Sequence, residues 1–415
     1  MSVMYSWFIA VLGYVIQTKC VSLIQSQSFL SSIDGKSIGI TSKEQSTGLI
    51  TIYLTSLYFV SLLLLLPVAR FYIDFSNRNK NPFEEFEEEE SYELNPVTSS
   101  RSTIDQHDEL LHTGTIAGND MNNDTKLAAD ILKYVGKLVV LSVILVIPVF
   151  TYTLALSLSP AFDVALIQNT AAFEIVTLLY GVCGISRKNY IFRNFLVMMS
   201  SLIGILIISY TKATCDLLAG KLSVNQVTGE VTDPFLFDRL KGALICGLGT
   251  LPVGLFGVLW NRWFNNNDES TLSAKYLNFN IFSRCSNDTK SDKKLLIQCT
   301  HLSLIGFIGT LLIFPFTPSI SLSIKIVSLL YAEQTFWLTL MCSIFIGTLP
   351  HLFSILNLNR KNPPEFLTTC NFGSIIFMGL AEWVCEPTQT TIVRWEVIGY
   401  IMLSLGCIFL SVTLV

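Results

Sequence analysis

The chain has 415 residues, of which 51% are hydrophobic and only 14% are charged, and its formal net charge at pH 7 is -4. Soluble domains carry about 25% charged residues, so this chain has too little charge to cover a water-facing surface. With a mean hydropathy of +0.54, the composition predicts an integral membrane protein. It excludes a disordered chain, a disulfide-rich secreted scaffold and, because no basic field would attract phosphate, a nucleic-acid binder.

A helix that crosses the hydrocarbon core needs about 20 mostly apolar residues, and the sequence contains ten such runs. In chain order they are Val3–Leu23, Gly48–Arg70, Tyr134–Leu156, Ala161–Val182, Ile191–Tyr210, Leu240–Trp263, Leu295–Phe316, Thr335–Leu356, Phe366–Cys385 and Glu396–Val415. The first run could instead be a secretory signal. Its basic residue, Lys19, follows the apolar stretch rather than preceding it, which favours a membrane span.

Basic residues near membrane spans stay on the cytosolic side. If the N-terminus is cytosolic, most of the 27 Lys and Arg residues fall on that side. The sequence therefore predicts that both termini are cytosolic. It divides into spans one and two (1–71), a cytosolic loop (72–130), spans three to five (131–210), a lumenal loop (211–237) and spans six to ten (238–415).

The segment 72–130 is strongly acidic. It holds 14 acidic residues against four basic ones, among many Ser and Asn residues. Such a self-repelling sequence cannot bury enough apolar surface to offset the entropy of ordering, which predicts a disordered loop. An acidic patch that binds a metal or a partner, centred on residues 84–90, is the functional alternative.

The sequence lacks the residue spacings that catalytic and metal sites need. Asp34-Gly35-Lys36-Ser37 resembles the end of a phosphate-binding loop, but the position five residues before Gly35 is not glycine. The His and Cys residues do not occur at zinc-ligand spacings. The sequence therefore predicts no catalytic residue, no metal and no cofactor, and it predicts that the chain is not an enzyme.

Polar side chains concentrate in span four. Asp163, Thr170 and Glu174 share one stripe at helical spacing, with Gln168 and Asn169 beside it near the midplane. Ionisable groups are costly in lipid and are therefore more often functional there than in a soluble core. This face is predicted to point into a polar cavity.

Glu174 is the sharpest candidate, because a carboxylate at that depth needs a cation, a proton or a water-filled path. A structural pairing with Arg187 or Lys188 is the alternative. Span nine has a related run of polar residues near its middle, so the two spans are predicted to share one site. The predicted substrate-binding residues are Gln168, Asn169, Thr170, Glu174, Thr369 and Asn371.

Single polar residues also occur on otherwise apolar spans. Gln17, Tyr152, His301 and His351 are each predicted to hydrogen-bond a neighbouring helix rather than to contact a substrate.

The ten spans divide into two halves of five. An odd-numbered duplication inverts the second copy, which is the plan of many secondary transporters whose site lies between the repeats near the midplane. The predicted fold is therefore an all-α polytopic membrane protein with ten transmembrane helices in two inverted five-helix repeats.

A family resemblance accompanies this plan. The stretch from Tyr152 to Phe173, with Leu-Ser-Leu-Ser-Pro-Ala at 156–161, resembles the hairpin of spans three and four in the drug/metabolite transporter superfamily (EamA-like). With the long acidic loop and the Pro363-Pro364 entry to span nine, the chain is most similar to the F-type branch of solute carrier family 35 and its fungal vacuolar members.

The resemblance implies a secondary-active carrier that moves a small polar metabolite across an endomembrane by alternating access. It favours the vacuolar membrane over the Golgi or the endoplasmic reticulum. The implied partners are a small-molecule solute and the lipid bilayer, and a homodimer with a second copy is an open option. Two alternatives remain open: a non-transporting membrane scaffold that acts through the acidic loop, and an intramembrane transferase, prompted only by His351 beside Pro350.

Overall fold

The computed structural model describes residues 3–25, 43–78, 120–183, 191–218, 234–265, 289–313, 334–361, 364–385 and 394–412. Apart from the turn at 159–160, the described residues are helical. The helices are α1 (Val3–Gln25), α2 (Lys43–Arg78), α3 (Asp120–Leu158), α4 (Ala161–Cys183), α5 (Ile191–Leu218), α6 (Pro234–Trp260, continued by a π turn, Asn261–Asn265), α7 (Thr289–Ile313), α8 (residues 334–361), α9 (Pro364–Cys385) and α10 (Arg394–Val412).

Ten of these helices are long and apolar enough to cross a membrane, as the sequence predicts. Helix α8 is composite, because the α-helical stretches Gln334–Met341 and Leu349–Lys361 flank a π-helical segment, Cys342–Thr348. This π-helical segment was not predicted, since a π turn depends on tertiary packing more than on local propensity.

The helices extend into the predicted acidic loop. Helix α2 runs to Arg78 and α3 begins at Asp120, so both ends of the segment 72–130 are helical where a disordered loop was expected. An acidic residue at a helix N-terminus interacts favourably with the helix dipole, which helps α3 to begin there. Residues 79–119 lie outside the described residues.

The predicted lumenal loop is shortened in the same way. Helix α5 runs to Leu218 and α6 begins at Pro234. Proline suits the first helical position because its φ angle is fixed near the helical value and its missing N–H would have had no intrahelical partner. The connection between the two helices is therefore shorter than the predicted 211–237.

The helices differ in how far they are buried. Half of the apolar window of α1 and of α4 is buried, against 22% for α10, so α1 and α4 are central and α10 is peripheral. Helices α5 and α10 expose large apolar side chains, among them Phe192, Leu196, Trp395 and Ile401. An apolar outer surface of this kind suits contact with lipid tails.

A very close helix crossing lies between α1 and α8. A Cβ built on Gly13 would lie 2.8 Å from the carbonyl oxygen of Gly347, and one built on Gly347 would lie 2.9 Å from the backbone nitrogen of Gln17. Small residues permit this approach of two backbones inside a membrane. Helix α1 packs extensively along α8, as α3 does along α6 and α5 along α10.

Ion pairs lie at the end of the bundle where α3 turns into α4. Arg239 Nε donates to Asp163 Oδ2 at 2.5 Å, and Lys212 binds Glu382. Lys212 Nζ also lies 3.8 Å from the ring centroid of Phe162. These contacts join α4 to α6 and α5 to α9 near helix ends, where charged side chains are tolerated best.

Candidate functional site

A cavity of about 180 Å³ lies between α1, α2, α3, α4, α6 and α8. A cavity of this size is large enough to hold several water molecules or a small polar group. Many of its lining residues can hydrogen-bond through their side chains: Tyr14, Gln17, Tyr58, Ser61, Tyr152, Thr153, Gln168, Ser343, Thr348 and His351. Among the described residues that line the cavity, none is Asp, Glu, Lys or Arg. The cavity is therefore polar without a fixed charge.

One wall of the cavity is a hydrogen-bonded cluster of α1, α3 and α4. The Tyr14 hydroxyl donates to Gln168 Oε1 at 2.9 Å. Thr18 Oγ1 donates to the Tyr14 carbonyl at 2.8 Å, so the Tyr152 hydroxyl is the donor in its 2.7 Å bond with Thr18 Oγ1. Because Gln168 Oε1 already accepts the bond from Tyr14, the side chain can act toward the cavity as a donor through its NH₂ group.

The opposite wall comes from α8. His351 Nδ1 donates to the carbonyl oxygen of Ala10 at 2.7 Å, which leaves Nε2 of the neutral ring as an acceptor. In the π-helical segment, Thr348 Oγ1 donates to the carbonyl oxygen of Ser343 at 3.0 Å, and both residues line the cavity. Single π turns within α-helices are frequently found at functional sites.

Gln17 is the least satisfied of the lining residues. Its side chain is 8% exposed, and its Oε1 atom is buried without a hydrogen-bond partner among the described residues. Such a buried acceptor costs about 1–3 kcal/mol when no donor reaches it. The position is therefore one where a donor from a bound group would be stabilised.

The structure disperses the predicted residues of α4. Gln168 lines the cavity. Asn169 Nδ2 donates to the Ala165 carbonyl at 2.7 Å, and Thr170 Oγ1 donates to the Ile167 carbonyl at 2.6 Å. Asn169 and Thr170 therefore bond the backbone of their own helix.

Glu174 lies against α6. A Cβ on Gly254 would be 2.8 Å from Glu174 Oε1. Asp163, nearer the N-terminus of α4 on the same stripe, binds Arg239 of α6. The stripe that was predicted to face a polar cavity therefore packs against α6. Arg187 and Lys188, the predicted structural partners of Glu174, lie outside the described residues.

The predicted residues of α9 are also away from the cavity. Thr369 accepts a hydrogen bond from Trp7 Nε1 at 3.0 Å, and Asn371 is half-buried. Between α4 and α9 the structure places two aromatic rings, Phe173 and Phe372, with centroids 5.7 Å apart. Of the six predicted residues, only the glutamine at 168 is among the cavity residues.

The predictions for single polar residues fare better. His301 Nδ1 shares a 3.1 Å hydrogen bond with the hydroxyl of Tyr134 on α3, and Tyr152 and His351 also bond neighbouring helices. The predicted hydrogen bonds to neighbouring helices are therefore present for these three residues, while Tyr152 and His351 also line the cavity. Tyr14 was not predicted, although it lies three residues before Gln17 on the same face of α1, a spacing that could have identified the polar stripe.

Comparison with known proteins identifies relatives along the entire chain. A family model described as ceramide synthase regulator matches residues 1–414. The Mannosyl phosphorylinositol ceramide synthase regulatory protein CSG2 of Saccharomyces cerevisiae is 51% identical over 429 aligned residues, which cover 100% of this chain and 98% of the relative.

These matches correct the family prediction. The resemblance to the drug/metabolite transporter superfamily and to solute carrier family 35 is wrong, because the matching family is one of regulators. The predicted secondary-active carrier and its small-molecule solute are wrong for the same reason. A regulator is not itself a catalyst, in agreement with the prediction that the chain is not an enzyme, and the description favours the alternative of a non-transporting scaffold.

Proposed function

Because this chain belongs to the ceramide synthase regulator family, we propose that it is a non-catalytic, membrane-embedded regulatory subunit of a mannosyl phosphorylinositol ceramide synthase. The observation that carries this proposal is the extent of the match, since 51% identity extends over all of the chain and 98% of the relative. The partner that matters is then a protein, the catalytic subunit of the synthase.

The structure favours a structural role over a catalytic one. The interior polar groups mostly join helices to one another, as in the bonds of Trp7 to Thr369 and of Tyr134 to His301. The described lining of the cavity holds no carboxylate or ammonium group, and its imidazole, His351, is tied through Nδ1 to the Ala10 carbonyl. Such a bundle can hold a fixed shape against a partner in the same membrane.

We assign contact with the catalytic subunit to the acidic segment, residues 72–130. With 14 acidic and four basic residues, its net charge is -10. Charge complementarity steers association and selects partners, so this segment suits a basic cytosolic surface of the synthase. A homodimer remains a separate prediction.

The paired packing of the helices supports the proposal of two inverted repeats. When helices one to five are matched with six to ten, the contacts α1–α8 and α3–α6 become equivalent, as do α1–α9 and α4–α6. Helices α2 with α7, α4 with α9 and α5 with α10 pack against their own counterparts. An odd repeat of five spans places the two copies in opposite orientations.

Two close glycine contacts join the proposed halves to each other. Gly13 of α1 packs against α8, and Gly249 of α6 packs against Thr151 of α3. The two contacts join helix pairs, α1 with α8 and α6 with α3, that correspond under the proposed repeat. Cysteine labelling from either side of the membrane tests the proposal, since the first residues of α1 and of α6 should face opposite sides.

We place the protein in an internal membrane, where ceramide-modifying enzymes meet their lipid substrates. The preference for the vacuolar membrane came from the transporter resemblance, so it is one option among the internal membranes. The topology proposed from the basic residues puts the acidic segment in the cytosol.

Affinity purification of the tagged full-length protein from fungal membranes tests the regulatory proposal. The catalytic subunit of the synthase should co-purify with the wild type. Its absence from the purified material, at expression equal to that of the native protein, would overturn the proposal.

Two variants then test the acidic segment. One lacks residues 81–124, and the other replaces the six Glu residues within 84–90 by Gln and so keeps the chain length. Both should retain less of the catalytic subunit, and added salt should weaken the wild-type complex. Undiminished association in both variants would remove the segment from the interface without affecting the proposed regulatory role.

A further inference from the structure

We propose that the cavity between α1 and α8 binds the uncharged head of a ceramide, whose hydroxyl or amide hydrogen is donated to Gln17 Oε1. This inference rests on the proposed function, because a regulator of the synthase could sense the supply of ceramide by binding ceramide itself. The lipid is held as a ligand and is not carried across the membrane.

The chemistry of the cavity matches such a head. Gln17 Oε1 and His351 Nε2 are acceptors, Gln168 has an NH₂ group to donate, and the Tyr58 hydroxyl can do either. A ceramide head carries hydroxyl groups and one secondary amide, which together supply both donors and acceptors. Each polar atom of the ligand can therefore exchange its bonds to water for bonds to the cavity.

The absence of charge in the described lining argues for an unphosphorylated lipid. A phosphate in a buried site needs Arg, Lys or several backbone donors, and the cost of burying an unpaired charge far exceeds that of burying a hydroxyl. The cavity volume of about 180 Å³ suits a small head, with the acyl and sphingoid chains left in the surrounding lipid.

The depth of Gln17 also favours a lipid. It lies eight residues before the end of α1 at Gln25, which is about 12 Å along the helix axis at 1.5 Å per residue. A lipid can present its head at this depth from within the bilayer, whereas a free sugar would have to leave water. The backbone of Gln17 also contacts Gly347 in the π-helical segment, so a ligand here touches the crossing of α1 and α8.

The experiment uses the full-length protein in lipid nanodiscs and a short-chain ceramide that carries a photoactivatable group and a reporter tag. Gln17→Leu removes the acceptor and should reduce specific labelling about tenfold, the equivalent of one well-formed hydrogen bond. Tyr58→Phe deletes a single hydroxyl and should reduce it about threefold. This second variant keeps the test valid if Gln17→Leu fails to fold.

Gln25→Leu is the matched control. Gln25 lies on the same helix, is 4% exposed and also has an Oε1 atom without a partner among the described residues. It does not line the cavity, and its Nε2 donates to Thr51 Oγ1 at 3.4 Å. Its substitution should leave labelling unchanged, which separates loss of the site from a general effect of a buried Gln→Leu change.

Competition identifies the ligand. Unlabelled ceramide should displace the probe, whereas phosphorylinositol ceramide, free mannose and free myo-inositol should not. Equal labelling of wild type and Gln17→Leu, displacement by the phosphorylated lipid as readily as by ceramide, or displacement by a free sugar alone would each overturn the inference. Because the purified protein is used without the synthase, a negative result here is distinct from failure to co-purify with the catalytic subunit.

Discussion

Gly13 of α1 faces Gly347 of α8 so closely that a Cβ on Gly13 would lie 2.8 Å from the Gly347 carbonyl oxygen and 3.0 Å from the backbone nitrogen of His351. These neighbours are backbone atoms that cannot rotate away. The crossing also fixes Gln17 one turn further along α1. The position of the cavity acceptor therefore depends on two residues that have no side chain.

Gly13→Ala should destabilise the protein. The added methyl group would force the two helices apart, and overpacking of this kind costs about 1–3 kcal/mol. Thermal unfolding in detergent measures the loss. Gly136→Ala is the control, because a Cβ at Gly136 of α3 meets nothing within 4 Å and alanine is the better helix former by up to about 1 kcal/mol. Equal melting temperatures for the two variants would contradict the close crossing.

The ion pair between α4 and α6 should contribute to stability through coupling. The Asp163 and Arg239 side chains are 17% and 18% exposed. Because solvent still reaches them, leaving one charge without its partner costs less free energy than in a fully buried pair. We expect Asp163→Asn and Arg239→Gln each to cost about 1–2 kcal/mol. A double-mutant cycle should give a coupling energy of at least about 0.5 kcal/mol, and strictly additive losses would show that the pair does not act as a unit.

Much of the bundle could be predicted from the sequence, because a span must satisfy its own backbone and therefore shows itself as a long apolar run. All ten runs correspond to helices in the described residues. Helix ends were less predictable. Helix α2 continues through polar residues beyond its apolar window, as far as Arg78. Helix α3 likewise begins before its apolar window, at Asp120.

The candidate site was harder to predict, since periodicity identifies a polar face but not the helix it meets. The stripe of Asp163 and Glu174 was recognised correctly as one face, yet it meets α6 through Arg239 and Gly254. The family was also beyond reach, because a ten-span plan with a Pro-containing turn is shared by unrelated functions.

Thr369 should behave as a structural residue rather than a ligand contact. It accepts a hydrogen bond from Trp7 Nε1 and packs α1 against α9, so Thr369→Val should cost about 0.5–1.5 kcal/mol of stability. Trp7→Phe should cost a similar amount, and the two changes should not add. Ceramide labelling per folded molecule should stay at the wild-type level, and a selective loss of labelling would instead place Thr369 in the binding site.

Glu174→Gln offers a further test of where function lies. The carboxylate packs beside Gly254 and does not line the cavity, so the isosteric amide should leave synthase activity and ceramide labelling within about twofold of wild type. Gln168→Leu, six residues earlier on the same helix, should lower labelling because it removes a lining group and a partner of Tyr14. The reverse order of effects would favour the α4 stripe over the cavity.

The regulatory role is tested most directly in Saccharomyces cerevisiae that lacks its 51% identical relative. This chain would be expressed there, and mannosyl phosphorylinositol ceramide would be measured against its unmannosylated precursor by mass spectrometry. If the chain regulates the synthase, the wild-type chain should restore the mannosylated lipid. Unchanged lipid ratios, with the chain present in membranes at the level of the relative it replaces, would contradict it.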